Sequence, residues 1–134
     1  SLTVALAQRL ARKLCSGCKR EDAPNKQEKE IIDEVAKIIK EKVGRAIQTE
    51  KIWRAKGCPL CNNTGYKGRV GIFEAVLMTV EIENLLDGIP SEREIREVAK
   101  RQGILNMRDD GVEKIMDGIT SFDEVQRVVD IGKE

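Results

Sequence analysis

Leucines recur every four positions at the start of the chain, at Leu2, Leu6, Leu10 and Leu14, with Gln8, Arg9, Arg12 and Lys13 elsewhere on the wheel. That spacing predicts an amphipathic helix over residues 2–14. The chain opens directly in the pattern, with only Ser1 or Thr3 to cap it, so the segment reads as the inside of a helix of a larger protein. Residues 22–25 form a loop. Over residues 27–43, Ile32, Ala36, Ile39 and Val43 keep helical spacing, and Ile31, Val35 and Ile38 widen the face. Asp33 and Lys37 stand four apart in the favourable order, and Gly44 is the expected stop.

Two stretches break the helical period. Residues 51–55 read as a short strand, and residues 69–78 (RVGIFEAVLM) as a second, rich in β-branched and aromatic side chains. Their antiparallel pairing, with Trp53 and Phe73 packed between them, is the simplest arrangement. Beyond Met78 the pattern turns to short capped helices over residues 79–88, 91–103, 110–118 and 121–129. Ser91 with Glu94 and Ser121 with Glu124 are capping boxes, and Asp110 with Glu113 begins the third helix. Four short amphipathic helices would pack as a small bundle. The expected class is α+β, mostly helical: a short β-hairpin with a helical insertion, then the bundle.

Composition narrows the function. Only Trp53, Tyr66, Phe73 and Phe122 are aromatic, so the core is aliphatic and modest. The 24 Lys/Arg balance 23 Asp/Glu to +1, against the basic excess of a dedicated nucleic-acid binder. No apolar run approaches the ~18 residues of a membrane span, and residues 2–14 are too studded with charge for a secretory signal. Histidine is absent, which excludes Ser-His-Asp and Cys-His nucleophile systems and His-ligated metals. No G-x-x-x-x-G-K-[ST] loop occurs, and no G-x-G-x-x-G follows a strand. The carboxylates fall on helix faces beside Lys and Arg and read as solvated, so no general acid or base stands out and the chain as given does not read as an enzyme.

What remains is four cysteines in two C-x-x-C pairs, Cys15 with Cys18 and Cys58 with Cys61, separated by 39 residues. Two residues between thiols let a tight turn aim both sulfurs at one ion, and two such turns make the four-thiolate cage that zinc accepts. Disulfides are an alternative, disfavoured in a reducing compartment. Dithiol redox chemistry at Cys58-Pro59-Leu60-Cys61 is another, but it needs a helix N-terminus where Asn62-Asn63-Thr64-Gly65 reads as turn. A closed cage leaves no open position and is structural. Such sites contribute on the order of 10–16 kcal/mol, against a domain stability of ~5–15 kcal/mol. Four thiolates around Zn²⁺ carry a formal −2, and Arg9, Arg12, Lys13, Lys19, Arg20, Lys56, Lys67 and Arg69 form a basic collar around the pairs. The collar either offsets that charge or offers a docking surface to an acidic partner or anionic lipid.

The order of motifs resembles one family. AQRLARKLC (residues 7–15) with Cys18, GCPLCNNTGYKGRVGIFEAV (57–76), EIREVAKRQGI (94–104) and RDDGVEKIMDGITSFDEVQRVV (108–129) are similar to the C-terminal portion of type II secretion and type IV pilus assembly ATPases. The resemblance breaks only over residues 19–55. It implies that Cys15, Cys18, Cys58 and Cys61 ligate a structural Zn²⁺, and that residues 1–14 are the last helix of an ATPase core. Residues 15–77 would then be the zinc module, with its helical insertion over 27–43, and residues 78–134 the C-terminal helical subdomain. The ATP and Mg²⁺ sites would lie upstream. The implied setting is a cytoplasmic homo-hexamer, peripheral to the inner membrane, contacting its own core, neighbouring subunits and an inner-membrane platform protein, with no nucleic acid. Two other classes stay open. CPLCNNTGYKG also resembles one of the four repeats of J-domain co-chaperones, though CSGCKRED lacks their glycines. A zinc-ribbon nucleic-acid binder finds support only in the basic residues 9–20, which lack stacking aromatics.

Overall fold

Residues 3–14 are a strand, not the helix that their leucine period predicts. A spacing of four satisfies a period of two as well as one near 3.6, and a second long strand decides between them by pairing along its length. In chain order the computed structural model contains β1 (Thr3–Leu14), β2 (Arg20–Asp22), α1 (Lys26–Val43), β3 (Ile52–Arg54), a 3-10 turn (Pro59–Cys61), β4 (Tyr66–Leu77), α2 (Met107–Met116) and α3 (Phe122–Val128). It describes residues 3–77 and 105–131, with residues 84, 88, 91, 93 and 94 between them. The class is α+β, as expected.

β1 and β4 form an antiparallel ribbon running from Thr3↔Leu77 to Leu14↔Tyr66, with irregularities between Ala5 and Ala7 and between Arg12 and Leu14. β3 pairs with β2, not with β4 as the hairpin expectation had it. Each cysteine pair therefore lies between one strand of the ribbon and one strand of the small sheet. Phe73 is 40% exposed and Trp53 half-buried, so neither fills the core as expected.

The core gathers Ala11 of β1, Ile32, Val35 and Ile39 of α1, Ile52 of β3, Ile72 of β4, Val112, Ile115 and Met116 of α2, and Phe122 and Val125 of α3. α2 touches α1, β3, β4 and α3, and α3 lies on β1. α1 follows its pattern closely. Asn25 caps it by accepting the Glu28 N–H, Glu28 accepts the Asn25 N–H in return, and Gly44 ends it at φ +74°. Val43 is 44% exposed, however, and Asp33 pairs with Lys29 rather than Lys37.

α2 starts three residues earlier than expected, behind Asn106, because Asp110 faces the ribbon and accepts the Phe73 N–H at 2.8 Å. Ser121 caps α3 as expected by accepting the Glu124 N–H. The Glu124 carboxylate does not close the box; it turns to Arg12 and Arg127. The bundle helices expected over residues 79–88 and 91–103 lie outside the described residues. Of their few described residues, Asn84, Arg93 and Glu94 are helical, and Glu94 N–H lies on Ser91 Oγ at 3.1 Å. Among the described residues no helix is long and apolar enough to cross a membrane.

Candidate metal centre

Antiparallel pairing of the ribbon and of the small sheet brings the two C-x-x-C turns face to face. In the first, the N–H groups of Cys18 and Lys19 both donate to the Cys15 carbonyl, at 3.3 and 2.9 Å. In the second, Cys61 and Asn63 donate to the Cys58 carbonyl, at 3.2 and 2.8 Å. Asn62 and Asn63 take left-handed conformations there, φ 54° and 61°, which asparagine tolerates better than most residues. Cys15 N–H reaches across to the Gly65 carbonyl at 2.9 Å and joins the two turns.

Two glycines are required by this geometry. Gly57 has φ +111°, and a Cβ there would come within 2.9 Å of the Asn63 carbonyl oxygen. Gly65 has φ +85°, and its Cβ would fall 2.5 Å from that of Ala55. Both aim their N–H groups at sulfur: Gly57 at Cys18 Sγ, 3.3 Å, and Gly65 at Cys61 Sγ, 3.2 Å. Cys58 N–H adds a second donor to Cys61 Sγ at 3.3 Å.

The ligand atoms of Cys15, Cys18, Cys58 and Cys61 all lie within 4.8 Å of one another, so the structure brings together the four residues singled out by spacing. Cys15–Cys58, Cys18–Cys61 and Cys58–Cys61 are each 3.8 Å apart between sulfurs. A regular tetrahedron with metal–sulfur bonds of ~2.3 Å has an edge of about 3.8 Å. A disulfide would need about 2.05 Å, and all four thiols are free. Cys58 precedes only the three-residue 3-10 turn, not the helix N-terminus that activates a redox thiol.

Electrostatics suit a thiolate site. Burial pushes the Cys61 thiol up, but the N–H groups of Cys58 and Gly65, with the Cys18 and Cys58 thiols, outweigh it and bring it down to about 6. The Cys18 thiol is pushed up to about 11, chiefly by burial and further by its neighbouring thiols, against the lowering effect of the Gly57 N–H. Binding of a cation by such thiols releases protons and depends on pH.

The basic collar divides. Arg12 lies 4.3 Å over the Tyr66 ring and binds Glu124; Lys19 donates to the Gly118 carbonyl at 2.9 Å beside Trp53. Arg9, Lys13, Arg20, Lys56, Lys67 and Arg69 are exposed. Among the described residues, the expectation that carboxylates are solvated fails at four positions, since Glu28, Glu74, Asp109 and Glu124 are buried. Glu28 holds Arg54 at 2.8 Å, and Asp109 pairs with Arg108 at 3.2 Å while burial pushes its carboxyl up. No local sequence signal marks these pairs, because each joins a helix to a distant strand or depends on how deeply its helix is packed.

The family model described as type II/IV secretion system protein matches residues 1–127. Among curated relatives, the type IV pilus assembly ATPase PilB of Pseudomonas aeruginosa is 40% identical over 96% of this chain and 21% of its own length. PilB of Myxococcus xanthus is 39% identical over 93% of the chain and 21% of its own length. The type II secretion system ATPase E of Vibrio cholerae is 37% identical over 96% of the chain and 23% of its own length. The chain thus spans about a fifth of the length of the curated relatives it matches.

Proposed function

The chain belongs to the type II/IV secretion system protein family, and from that footing we propose that it is the metal-clasped, non-catalytic C-terminal part of a secretion or pilus assembly ATPase. Cys15, Cys18, Cys58 and Cys61 hold one Zn²⁺, whose chemistry is a structural cross-link with no position left for water or substrate. ATP and Mg²⁺ belong to the part of the protein that precedes Ser1, and residues 1–14 continue that core into the module of residues 15–77. In the complete protein six copies assemble against the cytoplasmic face of the inner membrane and act on a platform protein there. The observation that carries the reading is the set of 3.8 Å sulfur separations, placed within a chain matched by the family nearly end to end.

The clasp has a route to the helices. Leu14 N–H donates to the Ile119 carbonyl at 2.8 Å and Thr120 Oγ1 to the Arg12 carbonyl at 2.8 Å. With Lys19 on Gly118, three consecutive residues of the α2–α3 turn hold the chain on both sides of the first cysteine pair, at the end of β1 and just after Cys18. Fixing the cysteines therefore fixes where α2 and α3 sit relative to β1. The test is metal analysis of purified chain alongside an ATP turnover assay. One zinc per chain and no turnover are expected, and Cys58→Ser should drop the metal below half-stoichiometric and lower the melting temperature. Full stoichiometry and native melting in that variant would refute the cage.

A further inference from the structure

Charge is segregated along this chain. Residues 1–20 and 51–73 carry ten Lys/Arg and no Asp/Glu, while the rest carry fourteen Lys/Arg and all 23 Asp/Glu. The fold brings the two acid-free segments together, since β1 pairs with β4 and the two cysteine turns meet. Four of the ten cations are engaged internally. Arg12 binds Glu124, Lys51 binds Glu21, Arg54 binds Asp22 and Glu28, and Lys19 binds the Gly118 carbonyl. The other six are exposed, and among the described residues none has an acidic partner.

Large apolar side chains are exposed on the same part of the molecule. Leu10 is 51%, Leu60 57% and Phe73 40% exposed. Leu10 and Phe73 share the ribbon face opposite to Ala11 and Ile72, which point into the core. The pairs on that outer face run Gln8↔Phe73, Leu10↔Gly71, Arg12↔Arg69 towards the metal. The Phe73 ring lies against Gly71, where an added Cβ would come 2.6 Å from it. Arg12 and Arg69 are like charges directly opposite, an arrangement that costs stability. Glu124 relieves Arg12 only. Lys13 is exposed at the same end of the ribbon, its side chain 3.6 Å from where a Gly68 Cβ would stand.

We propose that this strip docks an acidic amphipathic segment of a partner protein, apolar side chains on Leu10 and Phe73 and carboxylates on Arg69 and Lys13. An apolar centre beside a guanidinium rim is the anatomy of a protein interface, and a guanidinium matches a carboxylate in two parallel hydrogen bonds. A nucleic-acid strand would want several stacking rings, and the strip offers one. The proposal rests on the reading above, in which the chain is part of an assembly ATPase that acts on a partner protein, and identifies the surface and the chemistry of its occupant.

The probe is a fluorescent synthetic helical peptide of Glu and Leu, titrated by anisotropy against the 134-residue chain, with a Gln-for-Glu version, phosphatidylserine vesicles and oligothymidylate as competitors. Zinc content and melting are measured on every variant, so loss of the clasp is separated from loss of docking. The acidic peptide should bind, and binding should weaken as salt rises. Arg69→Glu with Lys13→Glu should weaken it at least tenfold and Leu10→Gln several-fold, all with zinc and melting retained. The proposal is overturned if the Gln version binds equally, if vesicles or oligothymidylate bind more tightly than the peptide, or if the charge reversal leaves peptide affinity unchanged.

Discussion

Two guanidiniums and a backbone N–H converge on Glu124, whose side chain is 1% exposed. Arg12 donates from Nη2 at 3.0 Å and from its backbone at 2.7 Å, and Arg127 from Nη2 at 2.7 Å. Burial alone would raise this carboxyl, yet Arg127, Arg12 and the Arg12 N–H hold it at about 2 instead of the ordinary 4.5. On acidification the unfolded chain takes up the proton first. The stabilisation is therefore complete above about pH 4.5 and is lost as pH falls through about 2. It amounts to on the order of 3 kcal/mol. Glu124→Gln should cost about 3 kcal/mol at pH 7 by leaving the arginines unmatched. Urea melts of native and variant chain at pH 7 and pH 2.5 should show that gap shrinking with acid. The comparison cancels any loss of metal, which both proteins suffer alike. The four cysteines were legible from spacing alone because C-x-x-C is a local constraint. Glu124 was legible only as the third residue of a cap, since Arg12 lies 112 positions away.

Among the elements, α1 was the most legible, because everything that specifies it is within its own sequence or one residue beyond. Asn25 and Glu28 close its start, Glu28 stands in its first turn, Lys40 and Lys42 stand in its last, and Gly44 ends it. Asn25→Ala should cost about 1 kcal/mol in a denaturant melt. Glu28→Ala should cost about 2–3 kcal/mol, because Glu28 also anchors Arg54 of β3 and its loss frees a half-buried guanidinium. A double-mutant cycle with Arg54→Ala should recover most of the excess; additive losses would mean that helix and strand are not coupled through this pair. β1 was misread for the opposite reason. Nothing within residues 3–14 forces the chain to be extended, and its backbone partners stand some sixty residues on, from Tyr66 to Leu77. The pairing of β3 with β2 was illegible on the same ground, since Arg20-Glu21-Asp22 carries no strand-forming pattern of its own and its partners lie some thirty residues on.

For the whole molecule, the shared core decides how metal loss is felt. Ala11, Ile32, Ile52, Ile72, Val112 and Phe122 belong to one cluster, so the parts on either side of the cysteines do not melt independently. Calorimetry of the zinc-loaded chain should give one transition among these elements. A zinc chelator should lower it by ten degrees or more, and excess zinc should restore it, because a ligand bound only by the folded state stabilises it by mass action. A midpoint unmoved by chelation would mean that the core stands without the clasp. The ribbon also gives the molecule a direction. It is roughly 40 Å long at ~3.4 Å per residue, running from Thr3 and Leu77 at one end to Leu14 and Tyr66 at the other, with the thiol cluster just beyond the latter. Tension drawing Thr3 and Leu77 apart would break its rungs singly, like a zip, and the peel would run towards the thiol cluster. A pull along the strands would instead strain every rung at once, so the same part yields softly to one direction of force and stiffly to the other.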